Sequence, residues 1–312
     1  MRNLILGMAA FAVSVGLAAG AQAQTKIAVS IPAADHGWTG GVVYHAERVA
    51  DALKAKYSDV EIIVKTSPDG ASQANAVEDL VTQGINALVI LPHNPDELAA
   101  SIKAVHDKGI FVTIVDRALS DPSFQDLYVG GDNPELGAVA GEYIKKTTPD
   151  AQVVVIRGLP IPIDQMRQDG FDEAIAGSGI KVLEKQYGNW SRDDAFKVMQ
   201  DFLTKYPKID VVWAQDDDMV VGVEEAIKQS GRTDIQYIIG GAGMKEMVKR
   251  VMDGDKMIPV DVAYPPSMVG TALDLTVGGL VNQIPIRGSY ILDATLITAD
   301  NADEWYFPDS PF

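Results

Sequence analysis

Short clusters of charged and aromatic side chains stand where apolar runs stop. Val112-Thr-Ile-Val115 gives way to Asp116-Arg117, and Val211-Val-Trp-Ala214 to Gln215-Asp216-Asp217-Asp218. Asp35-His36-Gly37-Trp38-Thr39 follows Ile27–Ile31, and Asn189-Trp190-Ser191-Arg192 precedes another helical stretch. A carboxylate accepts hydrogen bonds, a guanidinium donates up to five in a fixed fork, and an indole offers a flat apolar face. That combination suits a ligand covered in hydroxyls. Arg167, early in a helix that includes Asp164 and Asp169, adds a second multidentate donor. Each residue has a plainer reading as well. Asp116-Arg117 would be a surface ion pair, Trp38 and Trp190 packing, His36 solvated, and Arg167 a partner of Asp164 or Asp169.

Other chemistries fit less well. Asp216-Asp217-Asp218 lacks the D-x-D-x-D-G spacing and distal Glu of a hard-cation loop. The expectation is one carboxylate in the cleft, one capping the next helix and one in solvent. There is no G-x-S-x-G elbow, P-loop or H-E-x-x-H. Gly240-Gly241-Ala242-Gly243 lacks dinucleotide-loop spacing and reads as a tight turn. Asp116 and Asp216 are a conceivable glycosidase pair, but carboxylates serve equally well to hold hydroxyls. No cofactor, metal or catalysis is expected.

Elements that alternate along the whole chain must position these residues. Strand-like runs occur at Ile27–Ile31, Val60–Val64, Ala87–Leu91, Phe111–Val115 and Leu127–Val129. A second series follows at Gln152–Ile156, Val182–Lys185, Asp210–Ala214, Ile235–Ile239 and Ile258–Val262. Between the first two runs, Val42, Ala46, Val49, Ala50 and Leu53 keep a helical period. Asn94-Pro95-Asp96-Glu97 reads as a helix start closed by Gly109, Asn133-Pro134-Glu135 repeats the start signal, and Ser191 reads as a helix cap. Continuous apolar strands between helices imply parallel sheets covered on both faces. The fold class expected is α/β, with two similar doubly wound parallel-sheet lobes. In such sheets, residues just past a strand's carboxyl end face the ligand crevice.

Composition narrows the setting. The net charge of −17 opposes nucleic-acid binding, and no cysteine is present. Arg2, the apolar stretch Leu4–Ala19 and Ala21-Gln22-Ala23 read as a cleaved signal peptide over 1–23, so the mature chain is expected to start near Gln24. No later apolar run approaches the roughly 20 residues of a membrane span.

Val-Asp116-Arg117, the helix-borne Arg167, Asn-Trp190-x-Arg and Ala-Gln-Asp216-Asp, taken in this order with the signal peptide, resemble the ribose-type periplasmic binding proteins. These are the type I solute receptors of ABC sugar importers. The resemblance spans essentially the whole mature chain. It implies a three-crossing hinge near Gly130–Asn133, Val262–Pro265 and Ser289–Asp293. It places the N-terminal lobe at 24–131 and 265–290, and the C-terminal lobe at 132–264 and 291–312. The ligand contacts it implies are His36, Trp38, Thr39, Asp116, Arg117, Arg167, Trp190, Asp216 and Tyr264. His36, Trp38, Thr39, Trp190, Asp216, Ala242 and Tyr264 depart from the residues usual in ribose binders, so the ligand is expected to be a different monosaccharide or a sugar alcohol. ABC permease subunits, a periplasmic location and a monomeric state are further expectations. A chemotaxis or signalling receptor is the alternative, and a glycosidase a more distant one.

Overall fold

In the computed structural model, described over residues 24–34, 37–284 and 286–312, the strands form two parallel sheets and one short antiparallel pair. The first sheet takes strands β1 (Thr25–Pro32), β2 (Val60–Ser67), β3 (Ala87–Ile90), β4 (Phe111–Val115) and β5 (Leu127–Gly131). Helices α1 (Gly37–Lys56), α2 (Gly70–Thr82) and α3 (Pro95–His106) connect them. Every residue of β3, β4 and β5 is buried, as expected of strands covered on both faces. Asn94 caps α3, accepting the amides of Asp96 and Glu97, and Gly109 turns the chain with φ +75°.

After β5 the chain crosses into α4 (Asn133–Thr147). It continues through β6 (Gln152–Arg157), α5 (Pro162–Ile175), β7 (Lys181–Tyr187), α6 (Arg192–Lys205), β8 (Val211–Ala214), α7 (Asp217–Ser230), β9 (Tyr237–Ile239) and α8 (Lys245–Met252). The second sheet has the order β7-β6-β8-β9. Of the run Ile258–Val262 only Asp261–Val262 forms a strand, β10. The chain then returns to the first lobe as α9 (Met268–Val281), which packs on α1, β4 and β5. The last strands are β11 (Gly288–Leu292) and β12 (Leu296–Ile297), followed by the short helix α10 (Ala302–Trp305).

The first sheet therefore has the order β11-β5-β4-β3-β1-β2. Because β11 pairs with β5 up to Leu292↔Gly131, Ser289–Leu292 lie inside a first-lobe strand. The third crossing is the stretch between Leu292 and β12, which pairs antiparallel with β10. Strand β11 thus continues two residues past position 290. The signal-peptide reading of 1–23 and the site reading of His36 fall outside the described residues.

Candidate functional site

The carboxyl end of β4 delivers the first pair of polar groups. Asp116 donates its amide to Val129 of β5 at 2.8 Å and then adopts φ +62°. That left-handed turn is uncommon for a residue other than glycine and suggests a local constraint. Arg117 is buried beside it, with Nη1 donating to the carbonyls of His93 at 2.6 Å and Pro92 at 3.2 Å. Its Nε lies 3.7 Å from Asp116 Oδ2. These anchors fix the fork of Arg117 before any ligand arrives.

The second lobe delivers Arg167 on α5. Helices α4 and α5 touch through their backbones. A Cβ at Gly137 would stand 1.8 Å from the carbonyl of Arg167, and one at Gly170 would stand 2.0 Å from that of Pro134. The close approach brings the start of α4 to Arg167, whose Nε donates to Asn133 Oδ1 at 2.8 Å. Arg167 Nη1 donates to the carbonyl of Gln215 at 2.8 Å, and the guanidinium lies 4.5 Å from the Tyr264 ring centre. One turn on from Arg167, Phe171 stacks on Trp213 of β8 with centroids 4.3 Å apart, pinning α5 to the sheet. Arg167 is thus buried and held by Asn133 and Gln215, while the surface reading's partner, Asp164, pairs with Arg157.

Tyr264, on the second crossing, ties the two sides together. Its hydroxyl donates to Asp116 Oδ1 at 2.5 Å and accepts from Asn133 Nδ2 at 3.0 Å. Burial, then the Asp116 charge, pushes the Tyr264 hydroxyl well above the usual phenol range, so it keeps its proton to donate. A continuous chain of bonds therefore runs Asp116–Tyr264–Asn133–Arg167. Asn133 was read from the sequence as a helix start and not as a site residue. The helix cap there is Asp132, which accepts the amide of Glu135 at 2.9 Å, and this frees Asn133 to turn inward. Two adjacent residues able to cap one helix were the signal available.

Past β8 the three aspartates diverge. Asp216 caps α7, accepting the amide of Asp218 at 2.9 Å, and also lines the cleft. Asp217 accepts the amides of Gly241 and Met244 at 2.9 and 2.8 Å. Asp218 accepts the amide of Gly37 from the opposite lobe at 2.7 Å and pairs with Arg192. The expectation of one solvated carboxylate is wrong. All three are 5% exposed or less, and amides from distant parts of the chain reach Asp217 and Asp218. Burial, reinforced by Asp218 and Asp217 and opposed by Arg167, raises Asp216 well above the usual carboxylate range. Asp217 is pushed up to about 6, chiefly by burial, and shares a hydrogen bond with Asp261, itself raised well above the usual range. Two buried carboxyls in contact retain a proton between them.

Trp38, Asp116, Arg117, Ile163, Arg167, Trp190, Asp216, Ala242 and Tyr264 line one cavity between the lobes. Trp38 sends its Nε1 proton to the carbonyl of Tyr264 at 2.9 Å, which leaves its ring as a wall. Trp190 lies 5.7 Å from Arg117 across the cleft. Asp116, Trp190 and Ala242 all have positive φ, at 62°, 54° and 125°. Backbone strain concentrated around one cavity motivates a functional reading. Thr39 is buried on α1 but is not part of this wall. Ile163 and Ala242 join the wall although they were not expected as contacts. Among the described residues, no group of three or more His, Cys, Asp or Glu side chains is arranged to hold a metal.

Three comparisons place this geometry among known proteins. The chain is 27% identical over 299 residues to the ribose import binding protein RbsB of Escherichia coli K12, covering 95% of this chain and 98% of that one. It is 29% identical over 269 residues to a xylitol-binding protein of Mycolicibacterium smegmatis, covering 80% and 72%. An ABC transporter solute-binding protein from Mycobacterium smegmatis, solved with bound glycerol, superposes with a TM-score of 0.82 at 27% identity, covering 92% of this chain and 98% of that one. The model of the periplasmic binding protein domain matches residues 27–274. The chain belongs to the periplasmic binding protein family, with the two-lobed type I fold.

Proposed function

We propose that this protein is a periplasmic receptor that captures one small, neutral, polyhydroxylated molecule, a monosaccharide or sugar alcohol, between its lobes and delivers it to an ABC importer. The observation that carries this reading is the meeting of two donor–acceptor pairs across the cleft. Asp116 and Arg117 come from one lobe, Asp216 and Arg167 from the other, around a cavity walled by two indoles. The names of the relatives, ribose and xylitol binders among them, support the same ligand class. The ligand contacts are Trp38, Asp116, Arg117, Arg167, Trp190, Asp216 and the ring of Tyr264.

Magnitudes agree with this role. Micromolar capture requires about −8 kcal/mol. Hydrogen bonds to charged groups contribute about 1.5–3 kcal/mol each, so Asp116 and the two arginines, with the Asp216 carboxyl and two aromatic faces, suffice even after closure takes its share. Two arginines alone would suit an acid. Two carboxyl groups facing the same space favour a neutral ligand, because a ligand carboxylate would be desolvated beside them. Each carboxyl already has one oxygen held, Asp116 by Tyr264 and Asp216 by α7. That suits fixed recognition better than the proton shuttling of a glycosidase.

The test is thermal unfolding of the mature protein, from Gln24, against pentoses, hexoses, polyols and sugar acids. A compound at a hundred times its dissociation constant stabilises by about 2.7 kcal/mol. A selective shift with a neutral compound supports the proposal. A shift with acids alone overturns the neutral-ligand assignment. Co-purification with permease subunits would support the transport role, and capture by a membrane sensor instead would favour signalling.

A further inference from the structure

Two residues of the sequence clusters stand outside the ligand cavity, at the outer lip of the cleft. These are Arg192 and Asp218. Asp218 Oδ2 accepts the amide of Gly37, the first residue of α1, at 2.7 Å across the interlobe gap. Its Oδ1 accepts Arg192 Nε at 2.7 Å and lies 2.6 Å from Nη2. The Asp218 side chain is only 3% exposed. The fit at Gly37 is close. An added Cβ would stand 2.6 Å from Asp218 Oδ2 and 2.9 Å from the Phe312 ring. Phe312 is buried there, and Lys245 of α8 holds the same tail by donating to the Ser310 carbonyl at 2.6 Å.

The first amides of a helix have no partner within it, and its N-terminal end favours negative charge. Here the amide of Gly37, the first of α1, is met by a carboxylate of the other lobe, and that bond forms only when the lobes meet. Opening the cleft breaks a charged hydrogen bond that no ligand makes.

We propose that Asp218, Arg192 and Gly37 form an interlobe clasp that favours the closed receptor irrespective of the ligand inside it. The clasp rests on the reading of this protein as a closing receptor. A contact that biases only the open–closed equilibrium scales the affinity of every ligand by one factor. It therefore sets affinity and residence time, while the cavity sets selectivity.

The chain has no cysteine, so Glu78→Cys and Gln200→Cys place spin labels at exposed positions, one on each lobe. Pulsed dipolar spectroscopy of the ligand-free protein is expected to show a short-distance, closed population. Asp218→Asn, which keeps the shape, and Gly37→Ala, which wedges the gap, are each expected to remove it. With xylitol, D-ribose and myo-inositol as calorimetric probes, Asp218→Asn is expected to weaken whichever bind by about tenfold, with their ratios preserved. The clasp is overturned if the parent protein has no short-distance population or if both variants leave it unchanged. Losses that differ among probes by more than about twofold would also overturn it. If no probe binds the parent protein, the sugar reading falls, while the distances still decide the clasp.

Discussion

Asp116 and Asp216 occupy equivalent places, each just past the carboxyl end of a central strand, yet their surroundings are opposite. Asp116 has the Arg117 guanidinium beside it and a tyrosine hydroxyl donating to one oxygen. Asp216 has two further aspartates beside it and is raised well above the usual carboxylate range, first by burial. The first is equipped to accept from a ligand hydroxyl. The second keeps its proton to higher pH than an ordinary carboxyl and, when protonated, can donate through the oxygen that does not cap α7. Two copies of one supersecondary unit thus present complementary faces, and the difference lies in neighbours, not in residue type.

Removing Arg167 should damage this arrangement most. Arg167→Ala deletes the charged donor of the second lobe and the cation that opposes the protonation of Asp216. It is expected to weaken binding beyond about a hundredfold. The fold should persist, since Phe171 and Trp213 still pin α5. Calorimetry beside a thermal melt checks both parts. Unchanged affinity would remove Arg167 from the site.

The comparison itself is tested by paired amide substitutions. Asp116→Asn loses a charged acceptor and should weaken binding by roughly tenfold to a hundredfold. Asp216→Asn replaces a protonated carboxyl with another donor and should stay within about threefold, a change of under 1 kcal/mol. Equal losses in the two variants would contradict the assigned roles.

A smaller effect concerns the acidic turn next to Asp216. Asp217 is raised to about 6, whereas an unfolded aspartate titrates near 3.9. Between those values the folded protein retains a proton that the unfolded chain has released. Stability should therefore fall as pH rises through roughly 4 to 6, and stay at the lower level above that. Asp261→Asn keeps an oxygen for the Val262 amide and supplies an N–H to Asp217. It should flatten that slope and raise the melting temperature at neutral pH. A slope unaltered by Asp261→Asn would show that the shared proton lies elsewhere.

The smallest change expected is at the loop that presents Trp190. Ser191→Ala removes the cap of α6, where Ser191 accepts the amide of Asp194 at 3.3 Å. It should lower stability by about 1 kcal/mol with little change in affinity, as read by denaturant unfolding and calorimetry.

The sequence exposed local features well and long-range ones poorly. Strands buried on both faces, such as β3 and β4, read as unbroken apolar runs. The caps at Asn94 and Ser191 depend on residues two or three positions away. Strand β11 was missed because it is mostly exposed at a sheet edge and its apolar run, Tyr290–Leu292, is only three residues long. The partners of Asp217 and Asp218 come from 24, 27 and 181 residues away, so no local pattern could show that both are buried. Asn133 was obscured by Asp132, since either residue could have capped α4. Thr39 was expected in the wall because the family resemblance implied it. On a helix, adjacent residues point about 100° apart, and only Trp38 reaches the cavity.

The central claim, a cleft built for a neutral polyhydroxylated molecule, is tested most directly by paired titrations at neutral pH. Xylitol and D-ribose would each be compared by calorimetry with the corresponding sugar acids, xylonate and ribonate. The account predicts one-to-one binding of at least one neutral compound, with its acid counterpart weaker by a factor of ten or more, about 1.4 kcal/mol. Tighter binding of an acid would recast Arg117 and Arg167 as a carboxylate clamp and contradict the account.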